Sequence, residues 1–431
     1  MFNPGGERRV KWMRALLLGT ALASAAVIAL PIGNSVAGDA EDIAALKKEN
    51  AELRELVKGL AQDMKALKET VNKTAEAVAA PKAPAKMASS GNENVAVTVS
   101  GHVNRMLFYA DDGDQAQTFN ADNKVSMSRL NVTGKGKIDD DLSAGATLEV
   151  ELASNRSSSV TIGQETENNS GASLTERKSE VFVESKQFGK LSLGQGSVAS
   201  DGVSDTDFSG TSVIAPSSLG TDIGTALLFR LEGTSTSSGR TVGNLFDNFD
   251  AGRADRIRYD SPDLMGLVLS ASYADADIAD YAARFAKDVG GYKVAAAIGY
   301  DDSTNQATGL STINGSAGVK APFGTSLQGT YSERNFETAN RDNATLWYIK
   351  LGQEFPTLVP FGVTAFSIDH AQTADQALND SEGDWWNFAA VQTIKKLATE
   401  LYFNVGRYSA DIPSTPTEDI FIAGVGARVK F

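Results

Sequence analysis

Apolar and polar residues alternate from residue 95 to the end of the chain, in segments of about ten residues separated by turn residues. Between Leu142 and Leu152 the even positions are all apolar, and Ser143, Thr147 and Glu149 lie between them. Successive side chains of a strand point to opposite faces, so this period of two gives one face for lipid and one for water. Repeated segments of this kind are typical of a transmembrane β-barrel.

Sixteen segments of residues 95–431 show this alternation, and we expect an all-β fold, a 16-stranded antiparallel transmembrane β-barrel. An even number of strands returns both chain ends to the periplasmic side, and sixteen strands leave a water-filled lumen. The segments near 280–289 and 360–370 alternate poorly. Fourteen or eighteen strands therefore remain open alternatives.

A soluble β-sandwich also has alternating strands, but the connections and the aromatic residues favour the membrane barrel. Short turns alternate with long polar connections, notably about 199–252 and 371–383, as periplasmic turns alternate with extracellular loops. Tyrosine and tryptophan recur near the predicted strand ends and indicate interfacial girdles. The girdle residues predicted in this way are Tyr109, Tyr259, Tyr273, Tyr281, Tyr331, Trp385, Trp386, Tyr402 and Tyr408.

The first 37 residues have the pattern of a cleaved secretory signal peptide. A basic segment precedes an apolar run from Ala15 to Leu30, and small residues follow up to Ala37, where we expect cleavage. The alternative is an N-terminal membrane anchor, although the apolar run is shorter than the roughly 18 residues a spanning helix needs. The pattern therefore predicts a protein that leaves the cytoplasm.

Residues 39–80 carry a heptad repeat that predicts a periplasmic coiled coil, with Asn50 at a seam position that would fix the register. The seam residues and Asn50 suggest a dimer, while the widened apolar face suits a bundle of three helices. The sequence therefore leaves open how many chains associate through the coiled coil. An amphipathic helix lying on the barrel or on a membrane is the alternative. Residues 81–94, rich in Ala, Pro, Lys and Ser, predict a linker to the barrel.

Composition excludes several classes of function. The net charge of −14 argues against a nucleic-acid partner. The chain has no cysteine and only two histidines, so the common zinc, haem and iron–sulfur sites lack ligands, and we expect no cofactor and no metal. The pair Asp369 and His370 is the one suggestion of a hydrolase, but no nucleophile can be placed beside it. We therefore expect no enzyme activity.

Four segments resemble those of Gram-negative trimeric outer-membrane porins. They are residues 99–105, 128–134, 256–262 and 425–431, with the sequences VSGHVNR, SRLNVTG, RIRYDSP and VGARVKF. The N-terminal coiled coil resembles the extension of the DcaP-like porins, which form trimers. The resemblance covers residues 95–431 and implies a homotrimer in the outer membrane of a Gram-negative bacterium, in contact with outer-membrane lipid and lipopolysaccharide.

In the family that the chain resembles, the third extracellular loop folds into the lumen and narrows it opposite a cluster of arginines. The matching loop here is about 199–252. The resemblance implies an acidic side of the constriction at Asp201, Asp205, Asp207 and Asp222, and a basic side at Arg129, Arg177, Arg256 and Arg258. Such facing charges create a transverse field that sorts dipolar or charged solutes.

Strand parity tests the orientation of these arginines. Arg129 alternates with Leu130, and Arg256 and Arg258 alternate with Ile257, so all three arginines point to the lumen. The parity of Arg177 instead matches that of the apolar positions farther along its strand. A β-bulge is needed to bring Arg177 to the lumen.

The chain ends on Phe431, which resembles the signal read by the barrel assembly machinery. The function that the pattern and the resemblance imply is a porin for passive diffusion of small hydrophilic solutes. One alternative is a porin selective for small acids. Another is a structural envelope protein, because the coiled coil could tether the outer membrane to peptidoglycan.

Overall fold

The computed structural model describes residues 94–164, 173–217, 219, 223–275, 277–303 and 310–431. The predicted signal peptide, the coiled coil with Asn50 and nearly all of the linker lie outside these residues, as does Asp222. No helix in the described part of the chain is long and apolar enough to cross a membrane.

Eighteen strands form one antiparallel sheet, and sixteen of them build the wall of a closed barrel. The wall strands are β1 Val95–Asp111, β3 Arg129–Lys137, β4 Leu142–Ala153, β5 Ser173–Ser185, β6 Gly189–Ser197, β9 Arg253–Asp260, β10 Leu267–Ala274, β11 Ile278–Val289, β12 Tyr292–Ser303, β13 Leu310–Lys320, β14 Thr325–Phe336, β15 Ala344–Val359, β16 Gly362–Ala374, β17 Glu382–Ile394, β18 Thr399–Ile412 and β20 Ile420–Lys430.

The remaining elements are short; the first pairs with Arg105–Asp111 of β1 and continues the wall, and the others belong to connections. They are β2 Ala116–Asp122, β7 Leu228–Arg230, β8 Ser237–Thr241, β19 Thr415–Pro416, the helix α1 Val242–Leu245 and the 3-10 turns Lys124–Ser126 and Lys395–Leu397. The prediction of sixteen strands is confirmed, and the two segments that alternate poorly are the wall strands β11 and β16.

The barrel closes where the last strand pairs with the first. His102–Asp111 of β1 pair with Phe421–Lys430 of β20, and Val95–His102 pair with β3 on the other side. The terminal Phe431 extends the closure, because its backbone N–H donates to Gly101 O and its carbonyl accepts from Gly101 N–H, both at 3.0 Å. Among the described wall strands, no edge is therefore left unpaired in lipid.

The outer face of the wall is apolar, with aromatic residues near both ends. Exposed tyrosines and tryptophans lie near the loop ends of their strands, at Tyr273, Tyr281, Tyr300, Tyr331, Trp347 and Trp386. A second set lies near the short turns, at Phe188, Tyr259, Tyr292, Phe323 and Phe355. This arrangement is the pair of aromatic girdles expected of a membrane barrel.

Three of the predicted girdle residues face the other way. Trp385, Tyr402 and Tyr408 are at most 5% exposed and lie inside the barrel. Trp385 must point inward because its neighbour Trp386 points outward. The Tyr402 and Tyr408 hydroxyls donate to Asn104 Oδ1 at 2.6 Å and to Ile223 O at 3.0 Å, both inside the barrel.

Candidate pore constriction

The connection between β6 and β9, residues 198–252, is here called the inner loop. Its backbone accepts hydrogen bonds from buried side chains of the wall: Ser316 Oγ donates to Val203 O, Thr330 Oγ1 to Ser204 O and Tyr348 OH to Pro216 O. These wall residues alternate with exposed apolar positions such as Ile313, Tyr331 and Ile349, and therefore lie on the inner face. The described part of the inner loop thus lies inside the barrel.

Apolar residues fix the inner loop against one side of the wall. Its side chains Ile214, Leu227, Phe229, Leu245 and Phe246 are at most 1% exposed. They form a continuous cluster with inward-facing residues of β1, β15, β17, β18 and β20, among them Phe108, Leu346, Trp385, Tyr402 and Ile422. The sequence predicted a polar connection facing a polar inner wall. The buried apolar cluster shows that this prediction is wrong for one side of the lumen. Burial of these side chains, at about 25 cal/mol per Å², is the main force that holds the loop in place.

Two arginines of the wall, Arg258 and Arg284, hold the beginning of the inner loop, and Arg256 holds the end of β6 just before it. Arg256 donates to Ser197 O at 3.0 Å, Arg258 to Val198 O at 2.7 Å, and Arg284 to Ala199 O and Asp201 O at 2.7 Å each. Each of these guanidinium groups therefore donates hydrogen bonds to backbone carbonyls of the chain itself.

Arg256 and Arg258 are also paired with carboxylates of the wall. Arg256 is 5% exposed and forms an ion pair with Glu180, while Arg258 binds Asp260 at 2.7 Å. Both arginines face the interior, in agreement with their parity. Arg258 anchors the inner loop and Arg256 binds the end of β6, so neither guanidinium group simply lines open water.

Arg129 and Arg177 are brought together on a different part of the wall. Glu149 lies between them, with its Oε1 2.7 Å from Arg177 Nε and 3.6 Å from Arg129 Nη1. Arg177 also binds Glu151 at 2.8 Å. Glu149 and Glu151 are alternate inward-facing residues of β4, so they form a ladder of acceptors for the basic side chains around them.

A β-bulge turns Arg177 inward. Glu149 pairs with Lys178 and the next residue, Val150, pairs with Glu176, so the register between β4 and β5 skips Arg177. An extra residue at this point reverses the parity of the strand and re-aims the side chain. This is the irregularity that the sequence required for Arg177 to reach the interior.

Two further basic residues, not identified from the sequence, complete this cluster. Arg156 and Lys124 lie 3.7 Å and 3.9 Å from Glu151 Oε1. Lys124 lies in the 3-10 turn between β2 and β3, and Arg156 lies in the connection after β4. Neither belongs to a strand, so alternation gives no orientation for them. We call the six residues the charged wall: Lys124, Arg129, Glu149, Glu151, Arg156 and Arg177.

The aspartates of the inner loop have three different environments. Asp207 is buried against the wall, where it binds Lys350 Nζ at 2.9 Å with both side chains at most 7% exposed. Asp205 is exposed and Asp201 is half-buried. The expectation that all of them face the pore is therefore wrong for Asp207, because a buried carboxylate needs the counter-charge that Lys350 supplies.

Asp250 is an acidic residue of the inner loop that the sequence did not single out. Its Oδ2 accepts from Gly202 N–H at 3.0 Å and from Ser204 Oγ at 2.9 Å, which joins the end of the loop to its beginning. Burial, and then the negative charges of Asp205 and Asp201, raise the pKa of Asp250 to about 7. This junction is therefore sensitive to protonation near neutral pH.

Glycines of the inner wall make room for the loop. A Cβ at Gly352 would lie 2.6 to 2.7 Å from Cβ and Cα of Ser209, and one at Gly299 would lie 3.0 Å from Ser200 and Val203. The contacts at Gly352 are closer than a Cβ tolerates and those at Gly299 are tight, so the inner loop lies directly on the backbone of β12 and β15.

The candidate hydrolytic pair does not form a site. Asp369 is buried inside the barrel, whereas His370, the next residue of β16, is stacked on the outer-face Trp386 with ring centroids 4.2 Å apart. Consecutive strand residues point to opposite faces, so the two side chains cannot act on one substrate. Among the described residues, no group of three or more His, Cys, Asp or Glu side chains could hold a metal ion.

Comparison with solved structures shows the same fold. The chain is similar to the anion-selective porin from Comamonas acidovorans, at 18% identity and a TM-score of 0.55 over 78% of this chain and 100% of that one. It is also similar to in-vitro folded OmpT of Vibrio cholerae in a trimer form, at 14% identity and a TM-score of 0.51 over 79% and 100%. Salmonella typhi OmpF in complex with daunomycin matches at 16% identity and a TM-score of 0.51 over 78% and 98%.

No curated protein sequence matches the chain. The model of the Gram-negative porin family, however, matches residues 74–412, most of the chain and nearly the whole barrel. This match agrees with the closed 16-stranded wall and the inner loop. The chain belongs to the Gram-negative porin family and is a channel protein of the outer membrane.

Proposed function

We propose that this porin is a passive channel for small hydrophilic solutes, narrowed by the inner loop on one side and bounded by the charged wall on the other. The observation that carries the proposal is the position of the inner loop, which is held inside the barrel by apolar burial and by the arginines at its beginning. A fixed loop leaves the polar side of the lumen as the path for solutes. The charges on that side of the lumen then select among the solutes.

The second candidate is a pore that prefers small anions and acids. The charged wall has four basic residues and only two carboxylates: Glu149 contacts Arg129 and Arg177, and Glu151 contacts Arg177, Arg156 and Lys124. A surplus of positive charge along a narrow path raises the local concentration of anions. The net charge of −14 does not oppose this preference, because only charges near the path contribute strongly at physiological salt.

Planar-bilayer recordings of the purified protein test both candidates. A conductance in symmetric salt is expected from an open pore, and the reversal potential in a KCl gradient gives its ion preference. Folded, inserted protein without conductance would contradict the channel, while a reversal potential of zero together with unselective solute uptake would remove the anion preference.

We further propose that the protein forms a homotrimer, as one of the similar structures, OmpT of Vibrio cholerae, does in its trimer form. Three equal closing steps in the bilayer recordings are expected. In the membrane the partners would be lipid and lipopolysaccharide, and Phe431 would be the residue that the barrel assembly machinery reads.

The N-terminal assignments remain proposals: a signal peptide over 1–37, a coiled coil over 39–80 with its register fixed by Asn50, a linker over 81–94, and a DcaP-like architecture. The coiled coil would lie in the periplasm and could bind peptidoglycan. Deletion of residues 39–80 tests this tether, and unchanged trimerisation and envelope integrity would contradict it.

A further inference from the structure

The aromatic girdles of the outer face are interrupted on one side of the barrel. Most strands from β9 to β17 expose a tyrosine or a tryptophan, whereas β3, β4, β5 and β6 contain neither residue. The one aromatic side chain of these four strands, Phe182, is buried on the inner face, and the exposed Phe188 lies in the turn after β5. Tyrosine and tryptophan mark the two membrane–water interfaces of a barrel. The interruption therefore indicates that something other than lipid covers this side of the wall.

The same side of the outer face carries a basic residue. Arg105 of β1 lies between Val103 and Leu107, which are 54% and 55% exposed, so its side chain points outward among apolar residues. Its Nη1 binds Asp122 Oδ1 at 2.6 Å, and its Nη2 donates to Asn120 Oδ1 at 2.9 Å. The Arg105 side chain is nevertheless 38% exposed. Lipid tails offer no partner to the exposed part of this guanidinium group.

Glu176 of β5 is an outward-facing acidic residue. It pairs with Val150 of β4, and the same faces of these two strands continue to Leu174 and Leu152, which are 72% and 45% exposed. The bulge that turns Arg177 inward leaves Glu176 on the outer face. Glu176 is exposed and makes no hydrogen bond or ion pair with the described residues. A charge on the lipid face is destabilising, so this carboxylate calls for a basic partner from outside its own barrel.

Arg105 and Glu176 lie at about the same height in the wall. Glu176 shares a cross-strand row with Gly101, three wall strands away, and Arg105 is four residues beyond Gly101 along β1. The row rises from β1 to β5, because the middle of β1 pairs with the turn end of β20 on one side and with the loop end of β3 on the other. With strands about 4.8 Å apart, about 3.3 Å per residue and a tilt of about 40°, both displacements from Gly101 rise by about 9 to 10 Å.

The same geometry separates the two side chains around the circumference. From Gly101 the row leads to one side and the tilted strand leads to the other, which places Arg105 and Glu176 about 20 Å apart on the outer face. They therefore cannot bind each other within one barrel. They instead form the basic and the acidic edge of one surface, the outer face of β1, β3, β4 and β5, here called the interrupted face.

We propose that the interrupted face is the contact face of the trimer, and that Glu176 of each copy binds Arg105 of the next. The inference rests on the homotrimer proposed above. In a closed ring of three copies, each copy presents one edge of its contact face to one neighbour and the other edge to the second neighbour, so unlike residues meet. Asp122 does not prevent the contact, because a guanidinium group can bind two carboxylates, as Arg177 does in the charged wall.

Chemical crosslinking tests this contact, and the chain has no cysteine of its own to confuse the result. In the double variant Arg105→Cys with Glu176→Cys, a short bismaleimide should join the copies into covalent dimers and trimers on denaturing gels. Neither single variant should give covalent trimers, because each then lacks one edge. The control is Ile298→Cys with Ile368→Cys, at positions 53% and 48% exposed on the outer face of β12 and β16, and it should stay unlinked.

The crosslinking result separates this proposal from the ones on which it rests. A trimer on native gels that gives no covalent product in the double variant, or gives as much in the control pair, would overturn the contact face alone. A protein that is monomeric on native gels would overturn both the contact face and the homotrimer. Conductance of that monomer would still support the channel.

Heat dissociation of the trimer supplies a second readout that keeps the side chains nearly isosteric. Glu176→Gln and Arg105→Gln should each lower the temperature at which the trimer separates into monomers. The double variant should show a smaller shift than the sum of the two, because both substitutions remove the same contact. Additive shifts would overturn the pairing.

Arg407→Gln is the matched control for heat dissociation. Arg407 is also an outward-facing arginine in an exposed ion pair, with Asp419 at 3.3 Å, but it lies on β18, outside the interrupted face. The dissociation temperature of this variant should equal that of the wild type. A shift as large as that of Arg105→Gln would show that any loss of charge on the outer face weakens the trimer, and would contradict the proposed contact.

Discussion

Arg177 Nε lies 2.7 Å from Glu149 Oε1, and the contact exists because a β-bulge turns Arg177 out of the lipid-facing register of its strand. Arg129 of β3 approaches the same carboxylate oxygen from the other side of β4. One carboxylate therefore serves two guanidinium groups, and although Glu151 also binds Arg177, the charged wall has four basic residues and two carboxylates and is net positive. The bulge is the local feature that creates this arrangement.

The first prediction follows from that shared carboxylate. Glu149→Gln removes the negative charge and should raise the preference for anions, while Arg177→Gln should lower it. Two unit charges about 4 Å apart in water interact by about 1 kcal/mol, so the permeability ratio should change by up to about fivefold in each direction. Reversal potentials in a KCl gradient measure the ratio.

The control for these variants is Lys430→Gln. Lys430 binds Glu400 at 3.0 Å at the turn end of the last strand, and its side chain is 47% exposed. The substitution Lys430→Gln should therefore leave the reversal potential nearly unchanged. Shifts of the same sign for Glu149→Gln and Arg177→Gln would contradict an electrostatic role of the charged wall.

The period of two predicted the wall because lipid demands an apolar outer face on every strand. Arg129, Arg256 and Arg258 also point inward as their parity predicts. The attachment of the inner loop could not be predicted in this way, because it depends on contacts between residues more than a hundred positions apart, such as Lys350 and Asp207.

A signal for the buried side of the lumen was nevertheless present in the sequence. In β15 and β17, Leu346 and Trp385 are apolar on the face opposite to Trp347 and Trp386. A strand that is apolar on both faces is buried on both faces. The girdle prediction included Trp385, although its pairing with an apolar neighbour on the other face indicates that something covers the inner wall.

Lys350 is predicted to hold the inner loop in its place. Lys350→Met leaves Asp207 buried without a counter-charge, which should destabilise the attached loop by about 3 to 5 kcal/mol. We expect frequent brief changes of conductance in single-channel recordings. The double variant Lys350→Met with Asp207→Asn should show fewer of these conductance changes than Lys350→Met alone, because the uncompensated charge is then absent.

Lys320→Met is the matched control for this prediction. Lys320 binds Glu354 at 2.6 Å in a partly exposed pair, with side chains 17% and 27% exposed. Loss of such a pair should cost about 1 kcal/mol or less. A quiet channel in Lys350→Met would show that the ion pair is not needed to hold the loop.

The junction at Asp250 predicts a dependence on pH. The pKa of Asp250, about 7 in the folded protein, is higher than the roughly 3.9 of an exposed aspartate. Because the folded-state pKa is the higher one, its stabilising contribution is complete below the unfolded pKa and is lost as the pH rises through about 7. Conductance fluctuations should therefore increase between about pH 6 and pH 8.

Asp250→Asn should remove that dependence, because the amide keeps an acceptor for Gly202 and Ser204 and does not titrate. Asp342→Asn, at an exposed position outside the inner loop, should keep the dependence of the wild type. If Asp250→Asn and the wild type changed equally with pH, another group would be responsible.

Direct contact between the inner loop and the wall backbone gives the last prediction. Gly352→Ala places a Cβ 2.6 to 2.7 Å from Cβ and Cα of Ser209, and the backbone of the loop must move to accept it. Because the proposed path for solutes runs beside the inner loop, we expect a changed single-channel conductance in a barrel that still folds and inserts. Gly315→Ala is the control, since Gly315 is on the outer face and the nearest neighbours of its Cβ would be Ala297 O, at 3.2 Å, and Ile298, at 3.8 Å, with no atom of the inner loop among these nearest contacts. Equal conductance in the two variants would mean that the position of the inner loop does not set the width of the pore.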